Sequence, residues 1–185
     1  DGTLRLRDAA TGEVQARAAG PAEAVTSISE RPGAPGTWLV CYAKGAPAAW
    51  QPSAGADAAA TLSPLSLGGA AEAPAAGEKA IAFYAVFSPS GETLYANVQR
   101  GTLLAVDATS GAIVARARMP GFQGAVKGLS ISNDGKSLLV NSTDKIIRTV
   151  PVDALMACPE RSTAEGAASW ATAGGSAGAA IGGAQ

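Results

Sequence analysis

Short stretches in which apolar residues alternate with polar ones recur along most of the chain, and clusters of Gly, Pro, Asp and Ser separate them. This pattern predicts an all-β protein built from short strands joined by tight turns. The predicted strands are Thr3–Arg7, Glu13–Ala18, Ala24–Ser29, Thr37–Tyr42, Ala46–Trp50, Thr61–Leu67, Ile81–Phe87, Thr93–Val98, Thr102–Asp107, Ala112–Arg118, Val126–Ser132, Ser137–Asn141 and Lys145–Val150.

Three of these strands have features that predict their place in a sheet. Ile81–Phe87 is apolar at both alternating sets of positions, which is typical of a strand buried on both faces. Pro47 and Pro64 each remove a backbone donor, so Ala46–Trp50 and Thr61–Leu67 are expected at sheet edges.

Two parts of the chain are near-copies of each other. Gly2–Ala18 recurs as Gly101–Ala117, 99 positions later, with Gly, Thr, Leu, Asp and the closing Ala-Arg-Ala in register. A shorter period of 44 residues relates Ser88–Asn97 to Ser132–Asn141. A strand-rich unit of about 40–45 residues has the length of one β-propeller blade. The chain is therefore predicted to be a repeat protein, a class that commonly provides binding platforms.

The length limits how much of a propeller the chain forms. A ring of about seven blades needs roughly 300 residues, and the chain has 185. We therefore expect about three blades, from an internal piece of a longer protein. The predicted division is the last strands of an incomplete blade (1–20), a blade (21–69), a second blade (70–118), a partial blade (119–157) and a disordered or linker tail (158–185). Residues 68–79 are predicted to be a loop.

Composition excludes several kinds of function. The formal net charge is −1, from 14 basic and 15 acidic residues, which argues against a surface that binds nucleic acid throughout. The chain has no His, so it offers no histidine base or histidine metal ligand. Cys41 lies in an apolar strand and is expected to be a small buried side chain, and with Cys158 it does not suggest a disulfide framework. No run of about 18 apolar residues indicates a membrane span.

Motifs for catalysis were sought among the remaining residue types. The chain has no Gly-rich phosphate loop and no Cys-x-x-Cys pair. Ser88, Ser132 and Ser142 lack a histidine partner, and Asp107, Asp134 and Asp144 are placed where Asp binds its own turn. We therefore expect no catalytic residues, no metal and no cofactor, and do not expect an enzyme.

Several motifs resemble WD-repeat propellers. Ser88–Leu94 and Ser132–Leu138 resemble the turn before the second strand of that repeat, and Asp144 occupies its tight-turn aspartate position. Arg7 stands where the signature Trp is usual, so the repeats are degenerate. A closer resemblance, to the retinoblastoma-binding protein 5 family of COMPASS subunits, rests on the segments Leu39–Pro47, Gly91–Asn97, Val126–Ile131 and Leu138–Arg148.

The resemblance implies a non-catalytic scaffold subunit of a nuclear complex that methylates histone H3 on lysine 4. It implies partners through the parent protein, namely a SET-domain methyltransferase, other core subunits and the nucleosome, and no membrane. It also implies that Lys145, and with less weight Arg148, approach the DNA backbone, because the family's propeller uses basic residues at blade edges. Basic side chains in such loops can reach phosphates without reading sequence.

Other interpretations remain open for these residues. Lys145 is also explained as an ordinary solvated charge at the start of a strand, and Arg17, Arg116 and Arg118 as charges on exposed outer strands, with Lys127 just beyond. The chain as a whole could belong to another WD-repeat complex or to an enzymatic propeller.

The large aromatic residues offer a different kind of site. Trp38 alternates with Val40 and is predicted to lie in the core. Trp50, at a strand end, could be partly exposed and anchor a peptide, although a core position is favoured for the tryptophans.

Overall fold

The computed structural model describes residues 3–43, 47–52, 61–64, 84–98 and 101–158. The predicted loop 68–79, Trp170, residues 65–67 and 81–83 of two predicted strands, and the predicted tail beyond Cys158 lie outside the described residues. No helix in the described residues is long and apolar enough to cross a membrane.

In the described residues, thirteen strands form four antiparallel sheets, and each strand pairs with the one that follows it within its sheet. The strands are β1 (Thr3–Arg7), β2 (Val14–Ala19), β3 (Val25–Glu30), β4 (Trp38–Tyr42), β5 (Ala48–Gln51), β6 (Thr61–Pro64), β7 (Tyr84–Phe87), β8 (Thr93–Asn97), β9 (Thr102–Asp107), β10 (Ile113–Arg118), β11 (Val126–Ile131), β12 (Ser137–Ser142) and β13 (Ile147–Pro151). Sheet A is β1–β2, sheet B is β3–β6, sheet C is β7–β10 and sheet D is β11–β13.

The sheets are arranged side by side around their first strands. β7 contacts both β3 and β11, so the first strands of sheets B, C and D are neighbours. At the far side, β2 of sheet A contacts β6 of sheet B. This arrangement, with first strands innermost and last strands outermost, is that of propeller blades.

Three hydrophobic cores fill the spaces between successive sheets. Leu4 and Ala18 of sheet A pack against Val40, Tyr42 and Trp50 of sheet B. The other two cores repeat this arrangement between later pairs of sheets. Sheets B and C enclose Leu39, Cys41, Phe87, Leu94, Leu104 and Val106. Sheets C and D enclose Tyr95, Leu103, Ala105, Leu138, Val140 and Val150.

Strand β7 confirms the prediction of a strand buried on both sides. Ala85 and Phe87 belong to the core toward sheet B, and Tyr84 and Val86 pack against the core toward sheet D. Cys41 is confirmed as a buried side chain, and this burial raises the pKa of its thiol to about 11.

The expectation of edge strands is confirmed for β6, the last strand of sheet B, and is wrong for β5. Pro47 precedes β5, and Pro64 is the last residue of β6. β5 is an inner strand, because it pairs with both β4 and β6. Because the prolines lie at strand ends, the missing donors leave the ladder of β5 intact.

The structure confirms the favoured core position of Trp50, and Trp38 packs against the same core. Trp38 lies directly opposite Trp50, so both belong to the face of sheet B that meets sheet A. Trp50 is 4% exposed and belongs to the core, whereas Trp38 is only partly buried. The alternative of a partly exposed Trp50 that anchors a peptide is therefore wrong, because the pairing of β5 with β4 places its side chain against sheet A.

A short helix, α1 (Val152–Met156), follows β13 in a region predicted as part of a blade. Its Leu155 is fully buried in the core between sheets C and D. The carbonyl of Cys158, just after the helix, accepts a hydrogen bond from the Arg116 amide of β10 at 3.1 Å. The helix and Cys158 thus occupy a place beside the outer edge of sheet C, where an unpaired strand edge would otherwise be exposed.

Turns at one end of the sheets also contact each other from blade to blade. Gly91, in the β7–β8 turn, lies against the backbone oxygen of Pro32 in the β3–β4 turn. Gly135, in the β11–β12 turn, lies against Pro89 in the β7–β8 turn, with 3.2 Å from an added Cβ to the proline ring. Each turn therefore needs a glycine where the proline of the preceding turn approaches.

We predict that Gly91→Ala destabilises the protein more than Gly12→Ala. Both glycines have φ +73°, but nothing lies within 4 Å of a Cβ at Gly12, whereas one at Gly91 would overlap Pro32. Gly12→Ala should lose about 1–2 kcal/mol from left-handed strain alone. Gly91→Ala should lose about 1–3 kcal/mol more from overpacking. Urea unfolding measures both changes, and equal losses would show that the contact between turns contributes nothing.

Candidate nucleic-acid interface

The turn between β12 and β13 carries Lys145, and the other sequence-predicted site residue, Arg148, lies at the start of β13. The Lys145 amide donates to the Ser142 carbonyl at 3.3 Å and closes the turn. The side chain of Asp144 stabilises the turn, because its Oδ1 accepts hydrogen bonds from the Ile146 amide at 3.2 Å and from the hydroxyl of Ser142. Turns are commonly stabilised by an Asp side chain that accepts hydrogen bonds from nearby backbone amides.

The side chain of Arg148, from the second residue of β13, is held against this turn by four neighbours. Its Nη2 lies 2.8 Å from Asp144 Oδ2, in an ion pair whose side chains are 13% and 11% exposed. Nη1 donates to Ser142 Oγ at 3.1 Å, and Nη2 donates to the Gly121 carbonyl at 3.2 Å. The guanidinium carbon lies 5.3 Å from the centre of the Phe122 ring, within cation–π range. The guanidinium of Arg148 is therefore engaged within the chain.

These contacts tie the turn to the neighbouring blade. Phe122, in the segment before β11, packs closely against Gly101 at the start of β9. The same segment approaches the turn at Ala125, whose amide donates to Thr143 Oγ1 at 2.9 Å. Sheet C therefore supports the position of the β12–β13 turn.

Lys145 differs from Arg148 in both exposure and backbone conformation. It is exposed and has φ 63°, the one described residue other than glycine in the left-handed region. The prediction of a strand starting at Lys145 is wrong, because β13 begins at Ile147 and Lys145 belongs to the turn. The 44-residue period aligns Lys145 with Gly101, which has φ 73°. A lysine thus occupies a position where the preceding blade has glycine.

A lysine in place of glycine at this position costs conformational free energy. A left-handed conformation is unfavourable for a residue with a Cβ by roughly 1–2 kcal/mol. Strained residues of this kind are frequent at functional sites. The alignment with Gly101 was available from the repeat, so the sequence alone contained the signal that marks Lys145.

The charges of the turn leave Lys145 as its exposed basic group. The ion pair with Arg148 and the hydrogen bonds from Ser142, Ile146 and Gln123 hold the pKa of Asp144 well below its usual range. The negative charge of Asp144 is therefore present at neutral pH and is balanced by Arg148. Lys145 can offer an ammonium group to a phosphate without a competing carboxylate in its own turn.

The remaining candidate basic residues lie on other parts of the sheets. Arg118 and Arg17 are exposed on the outer strands β10 and β2, and Lys127 is exposed on β11. Arg116 is partly buried on β10. None of them lies in the β12–β13 turn. Within the described ranges, no group of three or more His, Cys, Asp or Glu side chains could hold a metal ion.

We predict that Arg148 stabilises the turn and that Lys145 does not. Arg148→Met should lower the free energy of unfolding, because it leaves the Asp144 carboxylate without its ion pair. Lys145→Gly should cause no loss, because glycine relieves the left-handed strain. Chemical denaturation of the two variants beside the unchanged protein tests this, and a destabilised Lys145→Gly variant would contradict it.

We predict that Asp144→Asn makes stability less sensitive to acid. The folded-state pKa of Asp144 is below its unfolded value, so its contribution is present above about pH 4 and is lost as the pH falls toward the folded pKa. The free energy of unfolding of the unchanged protein should thus fall more steeply between about pH 5 and pH 2 than that of the variant. Urea titrations at each pH measure both slopes.

The matched control for this charge change is Asp153→Asn. Asp153 is exposed in α1 and accepts a hydrogen bond from the adjacent Ala154 amide. This variant should keep the acid slope of the unchanged protein. A slope reduced equally by both variants would mean that overall charge, rather than the Asp144 network, sets the acid dependence.

Comparisons with known proteins support the fold. No protein-family model matches the chain, and no curated protein sequence matches it. Among solved structures, it resembles the β-propeller domain of Cps50 (Swd1) from Myceliophteria thermophila, with a TM-score of 0.67 and 21% sequence identity. The match covers 89% of this chain and 50% of that chain, so the chain spans about half the length of that propeller. The prediction of an all-β, partial WD-repeat β-propeller is confirmed.

Proposed function

We propose that this chain is part of a non-catalytic scaffold subunit of a histone H3 lysine-4 methyltransferase complex. In this proposal the propeller holds a SET-domain enzyme, other core subunits and the nucleosome in one geometry, in the nucleus. Positioning of this kind accelerates a reaction by removing orientational freedom from the reactants. No residue of the chain takes part in bond chemistry, and no cofactor is needed.

The observation that carries the proposal is Lys145 in its left-handed turn. The segment Asn141–Arg148 is the part of the chain with the most specific resemblance to the COMPASS subunit family, and its exposed cation occupies a glycine position. An exposed lysine beside a neutralised carboxylate suits a phosphate of the DNA backbone. The fold shared with the Swd1 propeller domain is compatible with this role.

Arg148 has a different role in this proposal from the one its sequence position implies. Its guanidinium is bound to Asp144, Ser142 and Gly121. It therefore acts as a positioning residue that neutralises Asp144 and maintains the turn. Lys145 alone of the two makes the phosphate contact.

We predict that a tagged form of the protein, purified from nuclei, recovers a SET-domain methyltransferase together with its core companion subunits. Mass spectrometry of the captured proteins identifies them. Recovery of a different stable assembly would retain the propeller as an interaction module and overturn the assignment to histone methylation.

We predict that Lys145→Glu weakens binding to mononucleosomes several-fold. The reason is the loss of one phosphate contact, which should also reduce the salt slope of binding by about one. Gel-shift titrations at several salt concentrations measure both quantities. Lys136→Glu is the matched control, since Lys136 is equally exposed in sheet D but lies in the β11–β12 turn. Equal weakening by the two variants would indicate a general charge effect and contradict a site at Lys145.

A further inference from the structure

A pocket opens between sheets B and C at the end of the sheets where the β3–β4 and β9–β10 turns lie. Its volume of about 450 Å³ includes the space that is open to solvent at its mouth. Its walls are the apolar side chains of Leu39 and Ala49 from sheet B and of Phe87, Leu94 and Val106 from sheet C.

Arg31 and Asp107 stand at this pocket as its charged residues. Nε of Arg31 donates to the Gly91 carbonyl at 3.1 Å, and Nη2 donates to Thr109 Oγ1 at 3.5 Å. Its guanidinium carbon lies 6.0 Å from the centre of the Phe87 ring. Both acceptors are neutral, and within the described part of the chain Nη1 has no acceptor.

Asp107 does not neutralise Arg31 through an ion pair within the described part of the chain. Its Oδ1 accepts from the Thr109 amide at 3.1 Å and from the Ser110 amide and hydroxyl at 2.7 Å each. These bonds hold Asp107 to its own turn, and it forms no ion pair with Arg31 among the described residues. The hydrogen bonds from Ser110 and Thr109 lower the pKa of Asp107, and the charge of Arg31 lowers it least.

The chemistry of the pocket selects among possible occupants. A cationic group would be repelled by Arg31, and a wholly apolar group would leave the donors of Arg31 facing a surface without acceptors. A carboxylate would accept from these donors in a charge-assisted hydrogen bond. An apolar side chain beside that carboxylate would contact the apolar wall of the pocket.

We propose that this pocket binds an acidic peptide segment of a partner protein, with an aliphatic or aromatic side chain in the pocket and the following Glu or Asp against Arg31. This binding does not depend on which complex the propeller belongs to. Both sheets that form the pocket have all four strands. The two candidate surfaces lie at opposite ends of the blades, because the β12–β13 turn is at the far end from the β11–β12 turn in the antiparallel sheet D.

The test uses two short peptides against the full chain. Acetyl-Ala-Leu-Glu-Ala-amide and acetyl-Ala-Leu-Gln-Ala-amide have the same shape and differ by one charge. Methyl NMR of Leu39, Leu94 and Val106 follows the titration. We expect saturable shifts with the Glu peptide at a dissociation constant on the order of 1 mM and roughly fivefold weaker binding of the Gln peptide. The absence of saturable shifts, or equal affinity for the two peptides, overturns the proposal.

Variants locate the effect. Arg31→Gln should abolish the preference for Glu over Gln, whereas Arg118→Gln removes the same charge from an exposed position on β10 and should keep it. Ala49→Leu fills the pocket without touching Arg31 and should weaken both peptides together. Thermal melts establish that each variant is folded. If Arg31→Gln is unfolded, the proposal is tested by the comparison of the two peptides and by Ala49→Leu. Chemical shifts that Ala49→Leu leaves unchanged would place the peptide elsewhere and overturn the proposal.

Discussion

Packing of one sheet against the next is the interaction on which the rest of this structure depends. In sheet C, the neighbouring residues Leu103 and Leu104 enter different cores, one toward sheet D and the other toward sheet B. A sheet that is apolar on both faces is stable only when both faces are covered. The cores of this protein consequently belong to pairs of sheets, and the blades must stand side by side.

The turns follow from this arrangement. Once the sheets stand side by side, turns of equal position meet, and glycine is required where a proline of the preceding turn approaches, as at Gly91 and Gly135. Lys145 is an exception to this use of glycine in the turns. It takes a left-handed conformation where the preceding blade has Gly101, and the network of Asp144 and Arg148 holds the turn in place around it. A position where local preference is overruled is where a function is most reasonably sought.

The same packing leaves room for binding where it is incomplete. Between sheets B and C the apolar walls separate toward the β3–β4 turn, and Arg31 spans the opening with neutral acceptors on both sides. The proposed peptide site and the proposed phosphate contact thus use opposite ends of the blades. A scaffold with one partner at each end can hold them at a fixed distance, because the sheets between them are packed as solid cores.

The sequence by itself determined the strands, the repeat and the fold class. Alternation of apolar residues and turn chemistry are local properties, so β1, β4, β8 and β9 begin where they were predicted to begin or within one residue of that point. The resemblance to a propeller family singled out Lys145, but only the structure showed that it has the left-handed conformation of Gly101. Only the tertiary structure decided which side chains meet. It placed Trp50 under sheet A, gave Arg148 to Asp144, placed α1 beside β10 and brought Arg31 over a pocket formed by another blade. These outcomes depend on contacts between residues far apart in the chain, which a local pattern does not contain.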